Sequence, residues 1–399
     1  MLSDLVIQPT TYCNIDCSYC YLPNRHLKRR MSLATLRTVL DDVFSYPDIS
    51  SDLNVVWHAG EPLTLGINFY KEAFETVKRA SDGRCNIKHR IQTNGVLLND
   101  KWCDLIAAND VLLGLSVDGP AAVHDSHRRT RNGGGTHVFA RKAMRLLQSR
   151  EVDYRVICVL SRQSLYHPEE LIDFFIDNNV GSLGFNLETV EGVNGVTSLS
   201  HIETSSLLRQ FWLRLLQRIA ARASTIAIRE IDWAVDFVLS GTQNQARRRD
   251  NIPLMMLTVD VDGNYYTFSP ELAGVTDATG RTFAIGKAGE VPLASAVQSS
   301  NYRSITSEVA AGVEMCRREC RYFAVCGGGS PSSKIAENGT FASTETLSCR
   351  LSTKLLFDVL SEILPQVAEF LNISTKTTFE ENSGLGMSMI TGRVGVLPA

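Results

Sequence analysis

The feature that most constrains this chain is a regular alternation of short apolar, β-branched runs with longer amphipathic ones, sustained from Leu5 to about Ala221. Leu5–Ile7 reads as a strand, and Met31–Tyr46 carries Leu33, Leu36, Leu40, Val43 and Phe44 at helical spacing. The pattern repeats as strand 53–57 and helix 69–80, strand 88–92 and helix 100–109, and strand 111–117 and helix 137–148. Strand 154–160 with helix 168–178 and strand 182–187 with helix 204–221 complete it. Six strand-then-helix units in succession predict an α/β fold around a parallel sheet, either closed or open. Both arrangements put ligand sites beyond the carboxyl ends of the strands, where polar and Gly-rich segments are therefore expected.

After Ala223 the pattern changes. A helical stretch at 231–240 leads to Arg247-Arg248-Arg249, read as a solvated helix end or loop rather than a nucleic-acid patch. Short strands and turns are expected from 257 to 287, with Asp262-Gly263 as a hairpin signal. The mixed aromatic and β-branched stretch 254–268 is expected to offer a free strand edge to an added peptide. The end reads as one amphipathic helix, 354–371, and a loosely ordered polar tail. Lys+Arg 40 against Asp+Glu 43 in 399 residues, with 44% hydrophobic, describes a globular chain with no electrostatic case for nucleic acid or anionic membrane. The first residues lack a signal-peptide pattern, and no run approaches the roughly 18 apolar residues of a spanning helix, so a cytoplasmic location is expected.

Ten cysteines stand out from this ordinary composition. Cys13, Cys17 and Cys20 form C-x3-C-x2-C directly after the first strand, with Tyr19 in the last gap. An odd set so close together in a cytosolic chain does not pair off as disulfides. Four thiolates would saturate a metal site, whereas three leave a position open, as catalytic sites require. An incomplete zinc site with a distant histidine is the alternative from spacing alone. Cys316, Cys320, Cys326 and Cys349 form a second set, and four thiolates suit tetrahedral zinc and an iron–sulfur cluster equally well. Cys85, Cys103 and Cys158 read as inert thiols.

More signals follow the strands in order. After the second strand comes His58-Ala59-Gly60-Glu61-Pro62, where Gly60 permits close backbone approach and Glu61 can accept from an ammonium group. After the third comes Gln92-Thr93-Asn94-Gly95, an amide-rich turn suited to hydroxyls and a carboxylate, and after the fourth Ser116-Val117-Asp118. With the three-cysteine motif, this order resembles the radical S-adenosylmethionine (radical SAM) superfamily. The resemblance implies a partial (β/α)6 TIM-like barrel holding a [4Fe–4S] cluster whose open iron chelates SAM. It implies SAM contacts at Tyr19, Gly60, Glu61, Gln92, Asn94, Ser116, Asp118, Arg128 and Leu187, with Ala59 departing from the family's paired glycines. The second cysteine set resembles a truncated SPASM extension, in which two auxiliary clusters are usual. Here the stretch Tyr265–Glu271 near Asp262-Gly263, where the extension's first cysteine pair is expected, has no cysteine, and Ser330 stands where another ligand of the inner cluster would fall, which implies one auxiliary [4Fe–4S] cluster on Cys316, Cys320, Cys326 and Cys349.

The resulting division is a radical SAM core over 1–223, a helical bridge over 224–256, a SPASM-like region over 257–353, and a C-terminal helix and tail over 354–399. Phe268-Ser269-Pro270-Glu271 and the block from Cys326 to Lys334 resemble the cyclophane-forming peptide maturases of the GrrM/OscB type. That resemblance implies a carbon–carbon crosslink between an aromatic side chain and the β-carbon of a residue two positions later. The implied partners are a ribosomal precursor peptide with its leader and a small redox protein as electron donor. Another SPASM modification, thioether formation or sulfatase-type oxidation, is the alternative, and a non-catalytic zinc scaffold is a third reading. Glu271 and Asp260 are candidate bases by position only. Gly327–Gly329 lacks the Gly-Lys-Ser/Thr of a phosphate loop and reads as a tight turn beside a cluster.

Overall fold

The computed structural model describes residues 1–240 and 249–370. Strand β1 (Leu2–Ile7) is followed by the short β2 (Ile15–Cys17), and then by β3 (Ile49–Trp57), β4 (Asn86–Thr93) and β5 (Leu112–Ser116). Next come β6 (Arg128–Thr130), β7 (Tyr154–Leu160), β8 (Ser182–Leu187) and β9 (Ala227–Ile228). The order β1-β3-β4-β5-β7-β8 is parallel throughout, and the expected strand–helix units form it. Helices α1 (Leu33–Ser45), α2 (Ile67–Ser81) and α3 (Asp100–Ala108) connect its first half. The short α4 (Ala121–His127), α5 (His137–Ser149), α6 (Pro168–Asp177) and α7 (Thr204–Ala221) serve the second, and α8 (Arg229–Ser240) follows β9.

Local chemistry accounts for these elements. The Ser32 hydroxyl caps α1 by accepting from Thr35 N at 2.9 Å, and Leu36, Val39, Leu40, Val43 and Phe44 form its buried face. In β3, Leu53, Val55 and Trp57 are fully buried while the alternate Asn54 and Val56 are half-buried, the two-residue period of a strand. Trp57 meets Phe69 and Tyr70 of α2 edge-on, at 6.4 and 5.3 Å between ring centres. Its indole N–H donates to His89 Nδ1 at 3.3 Å, so the buried polar atom is satisfied.

The sheet does not close on itself. Strand β10 (Met256–Val259) pairs in parallel with β1, β11 (Asn264–Thr267) returns antiparallel, and β12 (Gly286–Lys287) ends the sheet. With two-residue β9 and β12 at its two ends, ten strands are continuous across residue 223. Short terminal strands leave little free edge. The expected free edge at 254–268 is therefore corrected: β10 is paired on both sides, and β11 is covered by β12 at Asn264 and Tyr265.

Beyond α9 (Leu293–Ala296) lies the 20-residue α10 (Ser300–Glu319). Its inward positions Ile305, Val309, Gly312 and Cys316 keep helical spacing, but a glycine and a cysteine dilute the apolar signal. Then come α11 (Phe323–Cys326), α12 (Pro331–Asn338) and α13 (Leu347–Cys349). A π-helical turn, Arg350–Lys354, leads into α14 (Leu355–Phe370). Arg249 reaches Ser3 Oγ at 2.7 Å, while Arg247, Arg248 and the polar tail lie outside the described residues. No helix among the described residues is long and apolar enough to cross a membrane.

Candidate metal centre and cofactor site

The loop after β1 carries Cys13, Cys17 and Cys20, and its shape is imposed from outside. Cys17 ends β2, whose antiparallel partner is β6, with Cys17 opposite Arg128. Arg131 Nε donates to the Cys13 carbonyl at 2.7 Å, and Arg25 donates to the Cys20 carbonyl at 3.0 Å and to Asp16 at 2.8 Å. The guanidiniums thus satisfy carbonyls that the irregular loop cannot pair itself. Gly60 (φ +58°) lies directly behind this loop: a Cβ there would stand 2.5 Å from the Tyr12 carbonyl oxygen. The close approach inferred at Gly60 is thus an approach to the cysteine loop, reinforced by Glu61 N donating to Tyr12 O at 2.8 Å.

Burial pushes the Cys13 thiol far up and the Cys17 thiol up to about 12; for Cys13 the buried Glu61 adds to the rise, while Arg128 works against it at Cys17. Thiolates are held in such a place only when a bound cation compensates them. Three neighbouring sulfurs at the carboxyl end of the sheet therefore fit a metal cluster.

The strand-end segments converge on the loop. Glu61 is buried, accepting from Leu63 N at 3.0 Å, Thr93 Oγ1 at 2.7 Å and Asn94 N at 2.8 Å. Burial still raises its carboxyl to about 7, against the pull of those donors. Asn94 Nδ2 donates to Asn14 Oδ1 at 2.8 Å and approaches Cys13 Sγ at 3.8 Å. Gln92 Nε2 donates to Ser116 Oγ at 2.9 Å across neighbouring strands, and Leu187 ends β8 opposite Leu160.

Asp118 and Arg128 form a buried pair at 2.9 Å, and Arg128 also reaches Cys17 Sγ at 3.9 Å. The Tyr19 hydroxyl donates to Asp118, whose other oxygen accepts from Val159 N at 3.0 Å. Burial alone would raise the Asp118 carboxyl, but Arg128 and then His124 hold it below its ordinary value. Tyr19 thus joins the cysteine loop to an ion pair as well as presenting a ring. The buried His58 is lowered to about 4 by burial, so it is neutral, as suits a packing histidine beside Tyr21.

The second cysteine set gathers from four elements: the last turn of α10, the residue that ends it, α11 and α13. Cys316, Cys320, Cys326 and Cys349 all line one cavity of about 170 Å³, with Tyr322, Phe323, Thr353 and Lys354 around them. Among the described residues no group of three or more His, Cys, Asp or Glu side chains, at either cysteine set, is placed to hold a single metal ion. Four thiols lining one cavity suit tetrahedral zinc and an iron–sulfur cluster alike. Gly329 N donates to Cys326 Sγ at 3.2 Å, the contact expected of a glycine turn beside a cluster. All ten cysteines are free, with Cys103 and Cys158 buried and Cys85 half-buried.

The two candidate bases occupy different settings. Asp260 sits at the β10–β11 turn, accepting from Asp262 N, Asn264 N, Asn264 Nδ2 and the Tyr266 hydroxyl at 2.8–3.1 Å. Its oxygens are engaged in holding the hairpin. Glu271 is brought to the β1 end of the sheet by Gln8 Nε2, which donates to Pro270 O at 3.1 Å. Burial, then the neighbouring Glu191 carboxylate, raises Glu271 to about 7. Glu191, which sequence reasoning missed, accepts from Ser332 Oγ at 3.0 Å and Ser333 Oγ at 2.9 Å. Tyr21 feels both Glu271 and Glu191, which ties this acidic group to the residue after Cys20. Ser330 bonds Ser332 at 2.9 Å. Arg25, Arg131 and Glu191 carry no motif spacing; only the groups they bond identify them, while Thr93 lies inside the quoted strand-end motif with its role as a donor to Glu61 unstated by it.

Comparison with known proteins places these features in context. A family model, the radical SAM superfamily, matches residues 7–175. The chain is 38% identical over 361 residues to an uncharacterized protein of Synechocystis sp., covering 89% of this chain and 90% of that one. It is 28% identical over 329 residues to a serine-type anaerobic sulfatase-maturating enzyme of Klebsiella aerogenes, covering 80% and 77%. Among solved structures, anSMEcpe with bound AdoMet superposes with a TM-score of 0.75 at 20% identity, over 92% of this chain and 99% of that one. Streptococcus suis SuiB bound to its precursor peptide SuiA gives 0.62 at 18%, over 88% and 76%, and these two likenesses establish the shared fold.

Proposed function

Within the radical SAM superfamily, to which this chain belongs, we propose that it is a peptide maturase that forms a three-residue cyclophane in a ribosomally made precursor. The relatives are enzymes of peptide and protein modification by name, which supports the coarser class. Cys13, Cys17 and Cys20 would hold a [4Fe–4S] cluster which, with SAM bound, would supply a 5′-deoxyadenosyl radical for removal of a β-hydrogen from the peptide. Glu61 presents buried carboxylate oxygens for the SAM ammonium, and Arg128, paired to Asp118, offers a buried cation for the SAM carboxylate. Gln92, Asn94 and Ser116 contribute hydroxyl and amide groups, and Tyr19 and Leu187 flank the adenine.

Joining a β-carbon to an aromatic ring requires the adduct to lose one electron and one proton. Glu271 is placed to take the proton, and Cys316, Cys320, Cys326 and Cys349 would hold the iron–sulfur cluster that, when bound, would supply the electron acceptor. The observation that carries this reading is the placement of Glu271: a half-buried carboxylate on the turn that Gln8 holds at the end of β1, raised by burial and by Glu191 and felt by Tyr21, the residue after Cys20. Asp260 is assigned to the hairpin instead. The hydroxyls and carboxylates at Ser269, Glu271, Ser330, Ser332 and Glu191 support the absence of an inner auxiliary cluster. Cytoplasmic location, a leader-bearing peptide and a small redox protein as electron donor complete the proposal.

The test is anaerobic incubation with SAM, dithionite and precursor peptides encoded by neighbouring small reading frames. A cyclophane removes two hydrogens and suppresses backbone fragmentation across the three linked residues. A two-hydrogen loss confined to one serine would instead be the sulfatase-type oxidation, and loss of a cysteine thiol signal would indicate a thioether.

A further inference from the structure

Lys334 on α12 is the one buried lysine among the described residues, at 3% exposure. Its ammonium donates to the Gly312 carbonyl at 2.9 Å and approaches Cys316 Sγ at 3.4 Å. Among the described residues no carboxylate pairs with it. An ammonium buried with only a carbonyl and a sulfur is costly unless the sulfur carries negative charge.

The backbone is built to admit this contact. Gly312 lies in the interior of α10, one helical turn before Cys316, so both face α12. A Cβ at 312 would stand 2.1 Å from the Phe341 carbonyl oxygen and 3.1 Å from Lys334 Nζ. A mid-helix glycine costs roughly 0.5–1 kcal/mol relative to alanine, so its presence here marks a required close approach. The first turn of α12 is set by Pro331, and Ser332 and Ser333 on that turn bond Glu191. The first turn of one short helix therefore reaches Glu191 through Ser332 and Ser333 and the Cys316 sulfur through the next residue, Lys334.

We propose that Lys334 is a positioning residue for the auxiliary site: its ammonium, bonded to Cys316 Sγ, stabilises the reduced form of the cluster bound there and so makes that site an electron acceptor. A positive charge and an N–H···S bond beside a ligand sulfur favour the state with one more electron, which raises the reduction potential. The electron balance is that of the proposed reaction: the cyclised adduct radical is oxidised by one electron, the oxidised auxiliary cluster is reduced by one, and Glu271 receives the ring proton. The inference rests on reading the four cysteines as an iron–sulfur site.

The experiment compares the full-length wild type, Lys334→Met, Lys334→Gln and Lys334→Arg after anaerobic reconstitution. Iron and sulfide per chain are measured first, followed by an EPR-monitored redox titration of the signal that SAM does not perturb. Either neutral variant that retains wild-type iron should show a lower auxiliary potential, with at least a tenfold smaller reduced-to-oxidised ratio at a fixed poise, about 59 mV for a one-electron couple. Lys334→Arg should recover most of the shift. An unchanged potential in an iron-replete neutral variant overturns the proposal. So does loss of iron from both neutral variants with retention in Lys334→Arg, since the residue would then hold the cluster rather than tune it. A wild type that binds zinc at this site defeats the underlying reading instead.

Discussion

Replacing Glu271 with glutamine separates what the carboxylate does for the reaction from what it does to the fold. Its folded value of about 7 against an ordinary 4.5 is a difference of about 2.5 units, or about 3 kcal/mol between protonation states. The shift is upward, so the folded chain holds the proton more tightly than the unfolded one. Stability from this group is fully present below about 4.5 and is lost as the pH rises through 7. Glutamine keeps the neutral shape at every pH and escapes that loss. Denaturant unfolding of both proteins at pH 5 and pH 8 should give a wild type that loses up to about 3 kcal/mol more than Glu271→Gln on the way up. Activity should move the opposite way: the variant cleaves SAM but yields little crosslinked peptide. Wild-type product formation should fall about tenfold per pH unit below 7, and the variant should lack that limb. Equal pH dependence of stability in the two proteins would refute the proton-retaining carboxylate. Wild-type product yield from Glu271→Gln would refute its role as base.

Three further outcomes follow from other sites. Arg128→Met leaves Asp118 buried without its cation and should cost about 3–5 kcal/mol by denaturant unfolding, whereas Arg128→Lys should cost less. Ala59 holds φ +75° where relatives of this motif carry glycine, so Ala59→Gly should raise stability by about 0.5–1 kcal/mol, read as a higher melting temperature. Cys320→Ala with Cys349→Ala should lower iron from about eight to about four per chain while SAM cleavage persists, by colorimetric iron and nucleoside chromatography.

Most of the sheet was legible because strand and helix leave different periods in sequence. Val156–Leu160 is a continuous apolar run, Ser182–Leu187 places Leu183, Phe185 and Leu187 at two-residue spacing, and α7 at Thr204–Ala221 is amphipathic. The cysteine loop was legible from spacing. What was not legible is pairing at long separation. Nothing in Met256–Val259 says that it lies against Leu5 and Ile7 rather than offering an edge, because parallel pairing is fixed by packing of distant segments. Helix α10 left a weak signal because its buried face includes Gly312 and Cys316 between Val309 and the helix end, which dilutes the apolar spacing. Glu191 was hidden because a lone carboxylate in a loop has no signature until Ser332 and Ser333 are brought to it.

That long-range pairing joins the segment after residue 250 to the strand that precedes the first cysteine set. Strand β10 runs parallel to β1 and stops beside Ile7, just before the three-cysteine loop begins. Strand β11 then turns back, with Thr267 opposite Leu257, which would carry the chain away from the site. Phe268 reverses it: at φ +75°, with Ser269 N donating to Thr267 O at 3.1 Å, the residue forms a tight γ-turn and is fully buried. A bulky side chain in that conformation costs of order 1–3 kcal/mol and persists only where its surroundings demand it. The demand here is Pro270, held by Gln8 at the end of β1, which leaves Glu271 beside Tyr21. The same turn delivers the carboxylate on which the proposed deprotonation depends.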